Sequence, residues 1–339
     1  MATDRRPTLA AVARAAGVSL KTASRVLNDE PHVAPATRER VRTAARALGF
    51  RRNAVAADLA RGGPAPLVGF IAADLANSFY AAAAGGMEHA LRGAGRQLVT
   101  AGSDEDAERE RRLVETLLER RVAALVVTPT DSDHAHLHQV ATAGTPLVLV
   151  DRPAGSVPAD TVVIDNRAGV RQAVDHLVGH GHRRIGLVVD DASVWTARER
   201  RDAFVQALRA HGVARPEPWV RDGAHDAAAA RGIVAELLDA PEPPTALLAG
   251  THRVTVGALA VLDARRAAGS SLPALVGFDD LELADLLGIT VVAYDTAEIG
   301  RQAARLALER TADPALPPRR RTVATRLVTR GSGERPPAA

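Results

Sequence analysis

From Leu67 onward the chain alternates short apolar runs with longer amphipathic stretches, and it passes through that alternation twice. LVGFIAA, QLVTAG, AALVVT and PLVLVD make a first series of runs, and RIGLVVD, TALLAG and ALVGFD make a second. Short apolar runs bounded by turn residues read as strands buried on both faces. Helical spacing falls between them near Tyr80–Gly93, Ala107–Arg121 and His134–Ala143 in the first series. In the second it falls near Ala168–Gly179, Ala197–His211, Ala227–Leu238 and Thr255–Ala267. Parallel neighbours need a crossover, and helical crossovers cover both faces of a sheet. The body therefore reads as α/β, with two doubly wound parallel sheets. Each series spans roughly 120–130 residues, about one domain. Two such lobes with a cleft between them suit a ligand clamped by hinge closure.

The head of the chain follows different rules. From Met1 to Gly63 there are 12 Lys+Arg against 5 Asp+Glu, a net of +7; the remainder holds 31 against 35, a net of −4. A compact basic segment ahead of a mildly acidic body points to a polyanion partner. Within it, Thr8 is placed to cap a helix carrying Leu9, Val12, Ala13 and Ala16, and Gly17 is placed to end it. Val18 plugs the turn, Ser19 caps a second helix, and Ala23, Val26 and Leu27 give that helix its buried stripe. A third helix is expected over about Pro35–Leu48, with Val41, Ala44, Ala45 and Leu48 on one face and Gly49 as its stop. The first two helices make a small all-α helix-turn-helix, whose second helix offers its N-terminal residues to a DNA major groove. Those residues are Ser19, Leu20, Lys21, Thr22, Ser24 and Arg25, with Asn28 at the far end. Lysine and arginine donate to guanine O6 and N7, while Leu20 contacts methyl groups or excludes wrong bases. A short segment starting at Asn53 and stopped by Gly62-Gly63-Pro64 has no strong apolar stripe, so it is marginal as an isolated helix.

The order VARAAGVSLKTASRVLN, then TRERVRTAARALGFRRNAVAADLARG, resembles the head of the lactose-repressor (LacI) family of bacterial transcription regulators. The resemblance continues in DLANSFY, in VVIDNRAGVRQAVDHLVGHGHRRIGLV, in VGFDDLELAD and in ITVVAYD, so it covers nearly the whole chain. It implies a DNA-binding domain over residues 1–52 and a hinge helix with linker over 53–63. It also implies a two-lobed, periplasmic-binding-protein-like effector and dimerisation domain over 64–330. Within that body, about 64–165 and 296–327 form the N-lobe and about 166–295 the C-lobe. Residues 331–339 are expected to be a loose tail. The resemblance assigns Asn53, Ala56 and Leu59 to the hinge, with Leu59 as the wedge that enters the minor groove and kinks the duplex. Several residues depart from the family pattern. Ala11 stands where an acidic residue would complete a capping box, and Ala34 stands where a serine caps the third helix. Asp58 sits beside the expected wedge, and Ser78 replaces a proline.

Ligand contacts are expected just past the carboxyl ends of the strands. The candidates there are Asp74 and Asn77 after the first strand, with Phe79 and Tyr80 as a stacking surface, Asp151-Arg152 after PLVLV, and Asp165 after TVVI. By the resemblance, Arg200 and Asp279 match the positions that hold sugars. A planar arginine fork and a carboxylate that accepts two hydroxyls suit a polyol together. His225 falls at another contact position. Thr251-His252 replaces the family's Asn-Asp, a change that admits an uncommon or anionic effector.

The resulting expectation is a sequence-specific DNA-binding regulator, most simply a repressor, governed by a small polar effector such as a sugar. It would act as a homodimer on a pseudo-palindromic operator. The alternatives are a two-lobed ligand-binding protein, or a doubly wound sugar or nucleotide enzyme, without a DNA role. No GxSxG, Walker-A or GxGxxG follows a strand, so an enzyme reading has no residues to nominate and no cofactor is implied. With no cysteine, disulfides, thiolate metal sites and Cys nucleophiles are excluded. His134, His136 and His138 form HxHxH, but no acidic partner is evident and no metal site is expected. No apolar run reaches the roughly 18–20 residues of a membrane span. The N-terminus lacks the apolar core of a secretory signal, so a cytoplasmic, nucleoid-associated protein is expected.

Overall fold

A computed structural model describes residues 7–50, 66–130 and 134–337. The chain separates into two compact units, Met1–Ala65 and Pro66–Ala339.

In the first unit, α1 (Leu9–Ala15), α2 (Leu20–Leu27) and α3 (Pro35–Ala47) pack on one small core. Val12, Ala13, Ala16, Ala23, Val26, Val41 and Ala45 are buried in it, with Val18 and Phe50 packed at its edge. Thr8 Oγ1 accepts the Ala11 amide at 3.2 Å, and Ser19 Oγ accepts the Thr22 amide at 3.1 Å. Gly17 takes φ 62°, which lets the chain turn sharply into α2. Ala34 offers α3 no side-chain cap, a loss of about 1 kcal/mol against serine. Pro35 at the first position offsets part of this, because its φ is already helical. Leu48 is not on the buried face: it follows the last turn of α3 and is 40% exposed.

The second unit begins with β1 (Leu67–Ala72), α4 (Ser78–Gly93), β2 (Gln97–Gly102), α5 (Ala107–Glu119), β3 (Ala124–Val127), α6 (Ala135–Thr142), β4 (Leu147–Val150) and β5 (Asp160–Ile164). A second series follows: α7 (Asn166–Gly179), β6 (Ile185–Val188), α8 (Trp195–Ala210), β7 (Val220–Arg221), α9 (Ala227–Leu238), β8 (Ala246–Ala249), α10 (His252–Ala267), β9 (Ala274–Phe278) and β10 (Thr290–Ala293). The chain then returns through α11 (Thr296–Ala312), β11 (Arg320–Val323) and β12 (Arg326–Val328).

The described residues build two six-stranded sheets, ordered β11-β5-β4-β3-β1-β2 and β12-β10-β9-β8-β6-β7. All pairings are parallel except β10 with β12. The central strands are buried along their whole length, as two-sided helical cover requires. Helices α4 and α11 approach so closely that a Cβ on Gly86 would lie 2.0 Å from the Ala297 carbonyl oxygen, so only glycine fits there. Asp106, Asp165, Asp226 and Asp295 each cap the helix that follows them.

Two expectations about the body fail. The return to the first lobe ends with β11, since Leu327 pairs with Val292 in the second sheet. The chain thus crosses between the lobes a third time, at about residues 324–325. The tail after Arg330 is not loose either. Ser332 is 3% exposed. Its Oγ donates to Leu275 O at 2.6 Å and accepts the Thr290 amide at 2.9 Å, while Leu275 N donates to Ser332 O at 2.9 Å. Glu334 accepts from Thr290 Oγ1 at 2.9 Å, and His182 Nε2 donates to Arg335 O at 2.8 Å. Polar residues in a Gly- and Pro-rich stretch resemble a solvated end, but these ones satisfy the backbone beside β9 and β10.

The HxHxH motif also has the acidic partner that the sequence hid. His136 Nε2 lies 2.7 Å from Oε1 of Glu110, a fully buried carboxylate whose other oxygen accepts the Thr130 amide. Among the described residues, no group of three or more His, Asp or Glu is placed to hold a metal ion.

Candidate functional site

The carboxyl ends of both sheets face a cleft of about 540 Å³ between the two lobes. Eleven of the twelve expected effector contacts line it: Asp74, Asn77, Phe79, Tyr80, Asp151, Arg152, Arg200, His225, Thr251, His252 and Asp279. Asp165 does not. Its Oδ1 accepts the Ala168 amide at 3.0 Å, so it serves as the cap of α7. Asn77 and Thr251 line the cleft while capping α4 and α10 with their side-chain oxygens.

Arg200 anchors the second lobe's share of the site. It is buried, with its guanidinium carbon 3.9 Å from the centre of the Phe278 ring. Its Nε donates to Asn166 Oδ1 at 2.8 Å, and one terminal nitrogen donates to the Gly250 carbonyl. The ring and the two acceptors fix the planar fork, which leaves the second terminal nitrogen uncommitted. Asp279 accepts the Tyr294 hydroxyl on one oxygen at 2.6 Å and the His252 amide on the other at 3.0 Å. The His252 ring nitrogen Nδ1 stands 3.5 Å from that second oxygen. Burial by itself would raise the Asp279 pKa, but the His252 hydrogen bond, the Arg200 charge and the Tyr294 hydroxyl hold it below the usual carboxylate range. Each oxygen keeps a further lone pair for a ligand hydroxyl.

The first lobe supplies a related arrangement. Tyr80 O–H donates to Asp151 at 3.3 Å. The neighbouring Arg152 is buried and grips Glu105 with two hydrogen bonds, at 3.0 and 2.7 Å. Burial, reinforced by Glu105 and Asp279, pushes Asp151 above the usual carboxylate range despite Arg152 and Arg200. Asp151 ends β4 and Asp279 ends β9, and these equivalent positions of the two sheets take φ of 73° and 79°. Non-glycine residues in that region are held by their surroundings, and aspartate tolerates it better than most. Both Asp backbones are also tied down, since their amides donate to Val162 O and Val292 O.

Arg253, in the first turn of α10, joins the lobes directly. It pairs with Asp74 after β1 and donates to His225 O at 3.1 Å. Residue-by-residue reading missed Arg253, Tyr294, Glu105, Asp190 and Asp191. Asp190 and Asp191 lie just past β6, after Val189, so the strand-end rule that found Asp74 applies to them too. Nothing local in the sequence marks Arg253, because its role depends on the other lobe.

In the head unit, Leu20 is 53% exposed and Lys21 is exposed at the start of α2. Thr22 Oγ1 shares a hydrogen bond with Ser19 Oγ at 2.9 Å, and Asn28 donates to Ser24 Oγ at 3.3 Å. Arg25 donates to Glu30 at 3.3 Å and to Pro31 O at 3.1 Å. Asn53, Ala56 and Leu59 lie outside the described residues.

Residues 8–53 match the bacterial regulatory proteins of the lacI family, and residues 174–333 match a periplasmic binding protein-like domain. The chain is 31% identical to the HTH-type transcriptional regulator GalS of Salmonella typhimurium, over 89% of each chain. This protein belongs to the LacI family. It is accordingly a DNA-binding transcriptional regulator, with the helix-turn-helix as its DNA-binding head. Its fold superposes on the lac repressor dimer bound to operator and an anti-inducer with a TM-score of 0.84, at 25% identity over 97% of this chain and 99% of the other. It is also similar to the transcriptional regulator CelR in complex with cellobiose, at 32% identity and a TM-score of 0.71, over 96% of this chain and all of that one. No described helix is long and apolar enough to cross a membrane.

Proposed function

We propose that this regulator represses transcription as a homodimer on a pseudo-palindromic operator, and that a small polyhydroxylated effector bound between its lobes sets its operator affinity. The observation that carries this reading is the pairing of Arg200 with Asp279 and Tyr294 across from Asp74, Phe79 and Asp151 in one cleft. Planar donor, paired acceptors and an aromatic wall are the groups a sugar ring needs. Cellobiose in the CelR complex supports an effector of that class.

Leu20, Lys21 and Arg25 are the base-reading residues of this proposal, with Ser19, Thr22, Ser24 and Asn28 holding the helix against the backbone. Arg25 must exchange Glu30 and Pro31 for DNA, a modest local rearrangement. Leu59, with Asn53 and Ala56, is assigned to the minor groove by its place in the sequence. The exposed Leu75 and Val99 of one lobe, and Leu283, Leu286 and Leu287 of the other, fit burial against a second copy.

The test is operator binding by fluorescence anisotropy with and without a sugar panel. Arg200→Met keeps an apolar stem against Phe278 while removing the fork. It is expected to retain operator affinity and to lose at least about tenfold of effector response, as the loss of a charged hydrogen bond implies. A normal effector response in that variant would remove Arg200 from the site.

A further inference from the structure

The cleft carries more negative charge than its cations cancel. Seven carboxylates line it, from Asp74, Asp104, Glu105, Asp151, Asp190, Asp191 and Asp279, against the guanidiniums of Arg152, Arg200 and Arg253. Those guanidiniums are largely engaged. Arg152 is held by Glu105, Arg253 by Asp74 and the His225 carbonyl, and Arg200 by Asn166 and the Gly250 carbonyl. The amide at the start of α10, a natural anion donor, is already taken by Asp279. A phosphate ester needs several free donors and would meet carboxylates instead.

Asp190 and Asp151, which come from opposite lobes, have no guanidinium nitrogen within hydrogen-bond range. Asp190 lies two residues past β6 and accepts the Asp191 amide at 2.7 Å. Asp151 ends β4 and accepts the Tyr80 hydroxyl; its nearest cationic atom is Arg152 Nε at 3.7 Å, beyond hydrogen-bond range. Burial pushes both carboxyl groups above their usual range. An independent feature points to a ligand oxygen at the same wall. Arg152 is 4% exposed, and its Nε–H is buried without an acceptor. A buried donor of this kind calls for a partner. Among the described residues no group of three or more His, Asp or Glu is placed to hold a metal ion, so the counter-charge argued here is an organic cation.

We propose that the cleft selects a polyhydroxylated ligand bearing a protonated amine, an amino sugar or aminopolyol, whose ammonium group lies between Asp190 and Asp151. Phosphorylated sugars are excluded by the same charges. This rests on the polyol reading above and narrows it.

The test is calorimetric titration of the full-length protein with matched triplets: a hexose, its 2-amino derivative and its 6-phosphate, in the gluco, galacto and manno series. In the binding series the amino sugar is expected to exceed its neutral parent by about tenfold, the worth of one charged hydrogen bond. The 6-phosphate is expected to show no binding. Asp190→Asn, close in size and folded by its melting transition, should weaken the amino sugar about tenfold more than the neutral sugar. If neutral or phosphorylated sugars bind as well as the amine in an Arg200-dependent way, the amine assignment is wrong and the polyol reading stands. If the amine is preferred equally by Asp190→Asn, Asp190 is not its partner. If no member of any triplet binds, both readings fall.

Discussion

Neutralising the Asp74–Arg253 pair is expected to loosen the cleft's grip on its effector by about tenfold. The pair joins the end of β1 to the first turn of α10, so it can form only when the lobes are close. Its side chains are 27% and 28% exposed. Two unit charges at 4 Å and an effective dielectric near 20 attract by about 4 kcal/mol. Desolvation and side-chain ordering cancel most of that, and fully exposed pairs net about 0–1 kcal/mol. A pair only about one quarter exposed, backed by Arg253 donating to His225 O, warrants about 1.5 kcal/mol. If that sum stabilises only the closed arrangement, removing it lowers the closed-to-open ratio roughly tenfold, and effector affinity falls by the same factor. The assay is calorimetry on the best-binding polyol with Asp74→Asn, Arg253→Met and their combination, read as a double-mutant cycle. The charge-swapped Asp74→Arg, Arg253→Asp protein is expected to recover part of the loss. Small-angle scattering should show the single variants more expanded before ligand addition. A coupling below about 0.3 kcal/mol, within the usual error of such cycles, would mean that the pair does not bear on closure. So would an unchanged affinity accompanied by lower global stability.

Two further outcomes follow from buried polar groups away from the cleft. Asp160 is fully buried and accepts from Arg310 Nε at 2.9 Å and from the Arg319 amide at 2.8 Å, tying β5 to α11 and to the segment entering β11. Burial alone would raise its pKa, but these partners hold it below the ordinary carboxylate value. Its contribution is therefore complete above about pH 4, the unfolded value, and is lost as pH falls through the folded value. Asp160→Asn should cost about 3 kcal/mol at neutral pH and flatten the acid limb of urea stability, and an unchanged limb would count against it. Ser332→Ala strands the Thr290 amide and the Leu275 carbonyl, so it should cost about 2 kcal/mol in chemical denaturation. A cost near zero would restore the picture of a loose tail.

Sequence alone reached the two-series body and most of its strands, because a strand covered on both faces leaves a local apolar record. It also found the head's caps, since Thr8 and Ser19 act on amides three residues away. It failed where pairing is long-range and edge strands are polar. Arg320–Val323 and Arg326–Val328 carry three arginines between them, yet they lie on different sheets. No periodicity distinguishes β11 from β12, and only the register with β5 and β10 does. The cleft behaved similarly. Strand-end polar residues were legible as candidates, but whether one faces ligand or caps a helix depends on the turn that follows. Asp74 and Asp165 sit in like sequence positions; Asp74 reaches Arg253 on the other lobe, while Asp165 closes on its own helix.

The doubled Asp–Tyr arrangement gives the proposed effector one comparable partner on each lobe. Each lobe holds one aspartate at positive φ and gives it one tyrosine hydroxyl, through Asp151 with Tyr80 and Asp279 with Tyr294. Their electrostatic settings differ. Asp279 receives a second donor in the His252 amide, and against its burial the His252 side chain, Arg200 and the Tyr294 hydroxyl hold its pKa below the usual carboxylate range. Asp151 receives no such donor, and its carboxyl is raised by burial, with Glu105 and then Asp279 adding to the rise. The effector proposed above therefore has to supply hydrogen-bond donors to an acceptor on each lobe. A ligand with several hydroxyl or ammonium donors does so for both at once. Its free energy is then realised mainly in the closed state, which is the differential affinity that an effector needs in order to shift a two-state equilibrium.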